Sequence, residues 1–477
     1  MSSEALTGDQ MPRMTTDSPG PTSTEWVDRL SRTECPAITA RRARRERETG
    51  AGQDPIVWDE ARGANVRDAD GNVYVDMTAG FAVAGLGHRP PQVVDAARDQ
   101  LDTLIHAMGD VYPSKIKIEL CDRLADVAPG DLQQSILGQS GSDAVTAALK
   151  TAAVHTGKPG FLSFWGAYHG LAYGALSASA YREEFREPFL DQLNNHARHV
   201  PYPDPLRPPF GLVRGDATPQ EIRDACLEHI DQLLSGHATG SEGIGAIIVE
   251  PIQGRGGKVV PPEGFLQGLR DVCDRHDLVL IFDEIYTGFG RTGDLFACQN
   301  EDVVPDVLCT GKSMGGGAPM SAAIGRPEIM ESWGTSEGEA IHTQTFLGNP
   351  LCCAMAKAAV DTIVDEDWPS RVRERGDALA DKLESLAARW PDRIVDVRGR
   401  GMMWGLEVVE SGAGVEPDGS LVRRLMDFCR QSGYLFLPSG THGNVVGLTP
   451  PFVATEQQID GFLDVFERGL EHLTERG

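Results

Sequence analysis

A chain of 477 residues is long enough for two or three domains, and 40% hydrophobic with 24% charged residues is the balance of an ordinary soluble protein. The net charge of −26 speaks against nucleic acid as a partner; it suits cationic small molecules, or carboxylates that are simply solvated. No run approaches the ~18 apolar residues of a membrane span, and the nine cysteines show neither CxxC nor a metal-ligand spacing, so a reduced, cytoplasmic protein with no metal site is expected.

In chain order, residues 1–24 are rich in Ser, Thr, Pro, Gly and Asp and predict a disordered tail. The mixed-sign run RRARRERE, Arg41–Glu48, predicts a solvated surface helix rather than a nucleic-acid arm. NVRDADGNVYVDM reads as short strands about an Asp-Gly turn, followed by a helix from Pro91 to about His106. Past residue 130 strand candidates (Ser135–Leu137, Gly160–Phe164, Gly245–Val249, Val279–Phe282, Val307–Leu308) alternate with helices such as Asp143–His155, Gln220–Leu234 and Gly264–His276. That alternation predicts an α/β fold, a largely parallel sheet covered by helices, with ligands at the carboxyl ends of the strands. Residues 25–90 and 345–477 are expected to form a smaller α/β domain from both chain ends, and 91–344 the large one.

The apolar run LVLIF ends in Asp283-Glu284 and a loop with three glycines, YTGFGRTG. A nucleotide-hydrolysing enzyme places an acid there for Mg²⁺; a pyridoxal phosphate enzyme places one against the cofactor's ring nitrogen. The nucleotide reading needs G-x-x-x-x-G-K-[ST]. The residues ending at Ser313 read DVLCTGKS, with Asp306 where the first glycine belongs, so that reading fails. Pyridoxal phosphate chemistry needs a lysine, an acid, a phosphate cup and a flat group over the ring. Lys312 follows a strand and precedes Gly315-Gly316-Gly317; Asp283 ends a strand. GQSGSDA opens a helix and offers Gly141, Ser142 and backbone N–H groups to a phosphate, although alone it is equally an N-cap. AYHG offers Tyr168 as a plate and His169 beside it, although Tyr168 alone would read as core. The lysines 115, 117, 150, 158, 258, 357 and 382 are expected to be solvated.

With TAGFAVAGLGH, SGSDA, YHG, VEPIQG, DEIYTGFGRTG, GKSMGGG, TFLGNPL and RGRGMMWGLE in one order over about residues 35–470, the chain resembles the class III aminotransferases. This is the ornithine, 4-aminobutyrate and ω-amine group of pyridoxal phosphate fold type I. The resemblance implies a large domain with a seven-stranded-type, mostly parallel sheet, a homodimer with sites at its interface, and small amine and oxo-acid or aldehyde substrates. It implies that Lys312 holds the cofactor and moves the substrate proton, that Asp283 faces the ring nitrogen, and that Gly141 and Ser142 bind the phosphate. Tyr168 and Ile285 would lie on the two ring faces with His169 close by, and Thr345 would reach the neighbouring subunit's phosphate. Phe81 and Glu250 would face substrate.

Four positions depart from the family pattern. Leu171 and Gly447 stand where relatives carry carboxylate-binding arginines, Tyr286 where a glutamine contacts the ring hydroxyl, and Asp143 where the usual residue is Glu. Glu250, without its usual arginine, is then either met by a cationic substrate such as a polyamine or amino sugar, or paired with Arg255 or Arg182, or hydrated. The expected activity is transamination of a primary amine. Its alternatives are an ω-amino acid transaminase, an aminomutase or racemase of the same fold, and a non-catalytic pyridoxal phosphate-binding protein.

Overall fold

The computed structural model describes residues 5–39, 55–236, 240–335, 338–412 and 414–474; the Arg41–Glu48 run, expected to be helical, lies outside them. The alternation after residue 130 becomes a seven-stranded sheet: β1 (Gln134–Gly138), β2 (Gly160–Phe164), β3 (Ala197–Val200), β4 (Ile244–Val249), β5 (Val279–Asp283), β6 (Val307–Thr310) and β7 (Ser321–Gly325). The order is β1-β7-β6-β5-β4-β2-β3. Strand β7 runs antiparallel to both β1 and β6, and the pairs from β6 through β3 are parallel. Every strand but β7 therefore ends on the same edge, where such sheets bind ligands.

Strands β4 and β5 read IGAIIV and VLIFD and are buried at every residue, as strands covered on both faces must be. Helix Gly141–Thr156 lays Ala144, Ala147, Ala148 and Ala152 against Phe161, Ala246, Ile248 and Ile281. Small side chains bring its backbone close to the sheet and so fix where its first turn lies. That turn is held by a capping box: Ser140 Oγ accepts from the Asp143 N–H, and Asp143 Oδ2 accepts from the Ser140 N–H at 3.0 Å. Asp143 thus closes the box with a side chain one carbon shorter than Glu. Strands β3 and β7 escaped the sequence reading. The first is an edge strand carrying Arg198 and His199, and the second is mostly Ser, Ala and Gly, so neither shows an apolar run.

The chain forms two compact units. The larger comprises Pro91–Gly376 and Arg398–Gly401; the other comprises Met1–Pro90, Asp377–Val397 and Met402–Gly477. The expected boundary at 345 is thereby moved to 377. Helix Pro350–Asp365 stays in the larger unit, packed on Pro91–Leu101 and Lys115–Val127, with Arg123 Nε 2.8 Å from Asp361 Oδ1.

The second unit centres on two four-stranded sheets. One joins Trp58–Arg62, Asn65–Asp68, Val73–Asp76 and Tyr434–Leu435; the other joins Ile394–Arg400, of which residues 394–397 belong to this unit, with Met403–Val408, Val445–Leu448 and Leu437–Ser439. Residues 5–24, expected to be disordered, are ordered in this unit. Leu6 is buried, Arg13 exchanges backbone hydrogen bonds with Val73, and Asn72 Oδ1 accepts from the Thr15 and Thr16 N–H groups. Asp70 accepts from the Thr22 and Ser23 N–H groups and so caps helix Pro21–Leu30 from the tip of the hairpin. A polar composition signals disorder only when the polar groups lack such partners. Among the described residues no helix is long and apolar enough to cross a membrane.

Candidate active site

Asp283 is the last residue of β5 and is 4% exposed. Its Oδ2 meets His169 Nδ1 at 2.7 Å, and its Oδ1 accepts from the Ile285 N–H at 3.1 Å. His169 lies beyond β2, fully enclosed, with its N–H donated to Ser179 Oγ. Burial disfavours the imidazolium, but the Asp283 hydrogen bond and charge outweigh it and raise the His169 pKa above the ordinary value. His169 Nε2 has no hydrogen-bond partner among the described residues.

The loop after β1 is shaped by glycines. A Cβ on Gly141 would come within 3.0 Å of Ile285 Cδ1, and one on Gly170 within 2.1 Å of Ser142 Oγ. Gly170 also has φ +124°, where a side chain is strained. Gly141, Ser142, Gly170 and Ile285 therefore meet closely, and the first-turn N–H groups of Gly141 and Ser142 have no intrahelical acceptor. Backbone donors at a positive helix end form a phosphate-binding arrangement.

Lys312 follows β6 with φ +46°, a left-handed conformation that a non-glycine residue adopts at a cost. Its Nζ lies 4.2 Å from the Tyr286 ring centroid. Burial lowers the Lys312 pKa; the charges of Tyr286, Asp283 and Glu250 oppose this, and that of Lys258 adds to it. Lys258, expected to be solvated, is in fact 2% exposed. Its Nζ is 3.1 Å from both Tyr286 Oη and Gly254 O. The signal lay in the local pattern: Lys258 sits between a glycine pair and the apolar run Val259-Val260.

Glu250 follows β4 and is 4% exposed. Its Oε1 accepts from the Tyr168 N–H at 2.9 Å and its Oε2 from the Gly254 N–H at 2.8 Å. Burial pushes its carboxyl up in pKa, against the charge of His169 and the two N–H donors. Among the described residues no arginine pairs with it. Each oxygen has a backbone partner, which removes the argument that a cationic substrate must neutralise Glu250. The neighbouring acid, Glu284, is fully buried and accepts from Thr287 Oγ1 and the Ala297 and Cys298 N–H groups. It pins the glycine loop, a role that its adjacency to Asp283 did not reveal.

Tyr168 stands edge-on to Tyr181, and Arg255 Cζ lies 4.6 Å from its ring centroid. Leu171 is 46% exposed. Thr345 is exposed in the loop before Pro350–Asp365, and that loop is tied to the β1 end by a 2.8 Å contact between the Gln139 and Gln344 amides. Phe81 and Gly447 belong to the other unit. Phe81 is exposed with φ +64°; Gly447 is buried in Val445–Leu448, where a Cβ would come within 3.1 Å of Leu437 O.

The larger unit thus gathers a lysine, an aspartate braced by histidine, a glycine cradle and aromatic rings after strands that end on one edge of the sheet. The orphaned His169 Nε2, the cradle that a Cβ would fill and the strained Lys312 fit pyridoxal phosphate. A family model described as aminotransferase class-III matches residues 48–470. Acetylornithine aminotransferase of Methanopyrus kandleri is 38% identical, over 85% of this chain and 92% of its own length. 4-Aminobutyrate aminotransferase of Mycobacterium tuberculosis is 36% identical, over 96% and 97% respectively. The crystal structure of an (S)-enantioselective omega-transaminase from Thermomicrobium roseum shares the fold with a TM-score of 0.85 and 28% identity, over 95% of this chain and 99% of that one. The chain therefore belongs to the class III aminotransferases, pyridoxal phosphate-dependent transaminases of fold type I.

Proposed function

We propose that this transaminase moves an amino group from a primary amine or amino acid to an oxo acid, as a homodimer in a reducing compartment. The observation that carries the chemistry is the pair of Asp283 with its buried partner His169 at 2.7 Å, with Lys312 Nζ set over the ring of Tyr286, three residues beyond Asp283. Bound pyridoxal phosphate supplies an electron sink for the charge left when a proton leaves the amine-bearing carbon. Lys312, with its proton affinity lowered by burial, would be the group that takes and returns that proton. Asp283, oriented by His169, would offer a negative charge to the ring nitrogen, and the first-turn N–H groups of Gly141 and Ser142 would hold the phosphate. Thr345, exposed in its loop, is available to a second copy of the chain. All nine cysteines are free thiols, which suits a reducing compartment.

The polyamine or amino sugar preference loses its support in Glu250, whose oxygens are already bonded, so carboxylate-bearing substrates return to the set. The test is a half-reaction screen of the cofactor-loaded enzyme with putrescine, glucosamine, 4-aminobutyrate, ornithine and alanine. It follows loss of the visible cofactor band and identifies the carbonyl product. Transamination predicts stoichiometric carbonyl product and none with Lys312→Ala. A racemised or rearranged amine without carbonyl product would overturn the assignment. Mixing Lys312→Ala with Thr345→Ala subunits should restore activity above either parent; no recovery despite confirmed subunit exchange would remove Thr345 from the partner's site.

A further inference from the structure

We propose that Arg255 is the carboxylate-binding residue of this site, taking the acid group of an amino-acid donor or an oxo-acid acceptor. The inference rests on the transamination reading and names a substrate class for it.

Arg255 is held by its neighbours in the loop after β4. Gly254 on one side gives its N–H to Glu250 Oε2 at 2.8 Å. Gly256 on the other is so closely packed that a Cβ would come within 2.7 Å of Gln253 Oε1 and 2.8 Å of Gly166 O. Gln253 is itself fixed by hydrogen bonds to Trp165 O and Val259 O. The guanidinium lies in the corner of two perpendicular rings, 4.6 Å from the Tyr168 centroid and 5.1 Å from that of Tyr181. Aromatic contacts of this kind occupy the face of a guanidinium and leave its edge N–H groups for a planar, bidentate acceptor, which a carboxylate is.

No acceptor from the protein fills that role. Among the described residues no carboxylate pairs with Arg255, whereas Arg182, the other guanidinium over Tyr181, has Glu184 at 3.9 Å. In a chain with 70 acidic and 44 basic side chains, a half-buried arginine without an acid partner is out of keeping with the charge balance. A ligand carboxylate would give the edge N–H groups of Arg255 a charged, bidentate acceptor in place of water. Glu250 does not hold Arg255: among the described residues no ion pair joins the two, and each Glu250 oxygen accepts a backbone N–H instead. Tyr168, beneath the guanidinium, is followed directly by His169, the partner of Asp283, which ties the anchor to the strand ends that carry the reacting groups. Residues 171 and 447 offer no positive charge.

The test uses the cofactor-loaded enzyme, Arg255→Gln and Arg255→Lys. Calorimetry measures binding of glutarate, which cannot react. In parallel, kcat/KM is measured for glutamate or alanine and for n-butylamine, which lacks a carboxylate. Arg255→Gln should weaken glutarate about tenfold or more and shift the acid-to-amine ratio of kcat/KM by at least about tenfold against the acid, with Arg255→Lys between it and the wild type. Unchanged glutarate affinity, or equal loss for acid and neutral amine, would make Arg255 a strut for Tyr168 and overturn the proposal. If the wild type reacts with no amine at all, the transamination reading fails, and glutarate binding still decides Arg255.

Discussion

Glu250→Gln separates a substrate-facing carboxylate from a backbone clamp. Glutamine keeps one acceptor oxygen and places an NH₂ group where the other stood, opposite either the Tyr168 or the Gly254 N–H, now at 2.9 and 2.8 Å. One hydrogen bond to a charged acceptor is lost, about 1.5–3 kcal/mol, and the other becomes a neutral bond, weaker by about 1 kcal/mol. Removing a buried charge whose pKa is already raised returns part of this, leaving a net cost of about 1–3 kcal/mol. In a unit of this size that lowers Tm by about 2–5 °C, measured by thermal denaturation of the cofactor-free protein. Tyr168 and the loop carrying Arg255 both lose a tether. If half of the cost falls on the reactive arrangement, kcat/KM drops about two- to tenfold. Putrescine, 4-aminobutyrate and n-butylamine should suffer alike. A loss confined to the diamine, with Tm unchanged, would refute the clamp and restore Glu250 as a receptor for cations.

On the proposed role of Asp283, Asp283→Asn should slow the half-reaction by roughly 10²-fold or more while the fold persists, because the ring nitrogen would lose the anion that keeps it protonated; stopped-flow rates near the wild type would mean that another acid serves. Gly170→Ala forces a Cβ to 2.1 Å from Ser142 Oγ at φ +124°. It should destabilise by about 1–3 kcal/mol and weaken cofactor retention in equilibrium dialysis, and intact retention would deny the cradle its role. His169 has a raised folded-state pKa, so its protonation stabilises the fold fully below its ordinary value of about 6.5 and progressively less as pH climbs through the raised one. The stability gap between wild type and His169→Asn, read by denaturant titration of the cofactor-free protein, should therefore narrow with rising pH. A gap constant from about pH 6 to pH 9 would show that the imidazole does not titrate there.

The strand-end positions of Asp283 and Lys312 were legible because each follows an apolar run and adjoins glycine-rich sequence, and strand ends are marked by such local patterns. Helices Gly141–Thr156 and Phe265–His276 were legible within two residues for the same reason, since periodicity and caps are properties of neighbouring residues. The condition of Glu250 was not legible. Its partner Tyr168 is 82 residues away, and His169 and Asp283, which hold each other, are 114 apart. The burial of Lys258, the order within residues 5–24, the boundary at 377 and the partnerless Arg255 were equally hidden. The sequence by itself determined which groups could do the chemistry and on which strand ends they stand. Only the tertiary structure decided which charges already had partners, because satisfying a buried polar group takes donors and acceptors that folding brings in from distant loops, and no spacing along the chain records them.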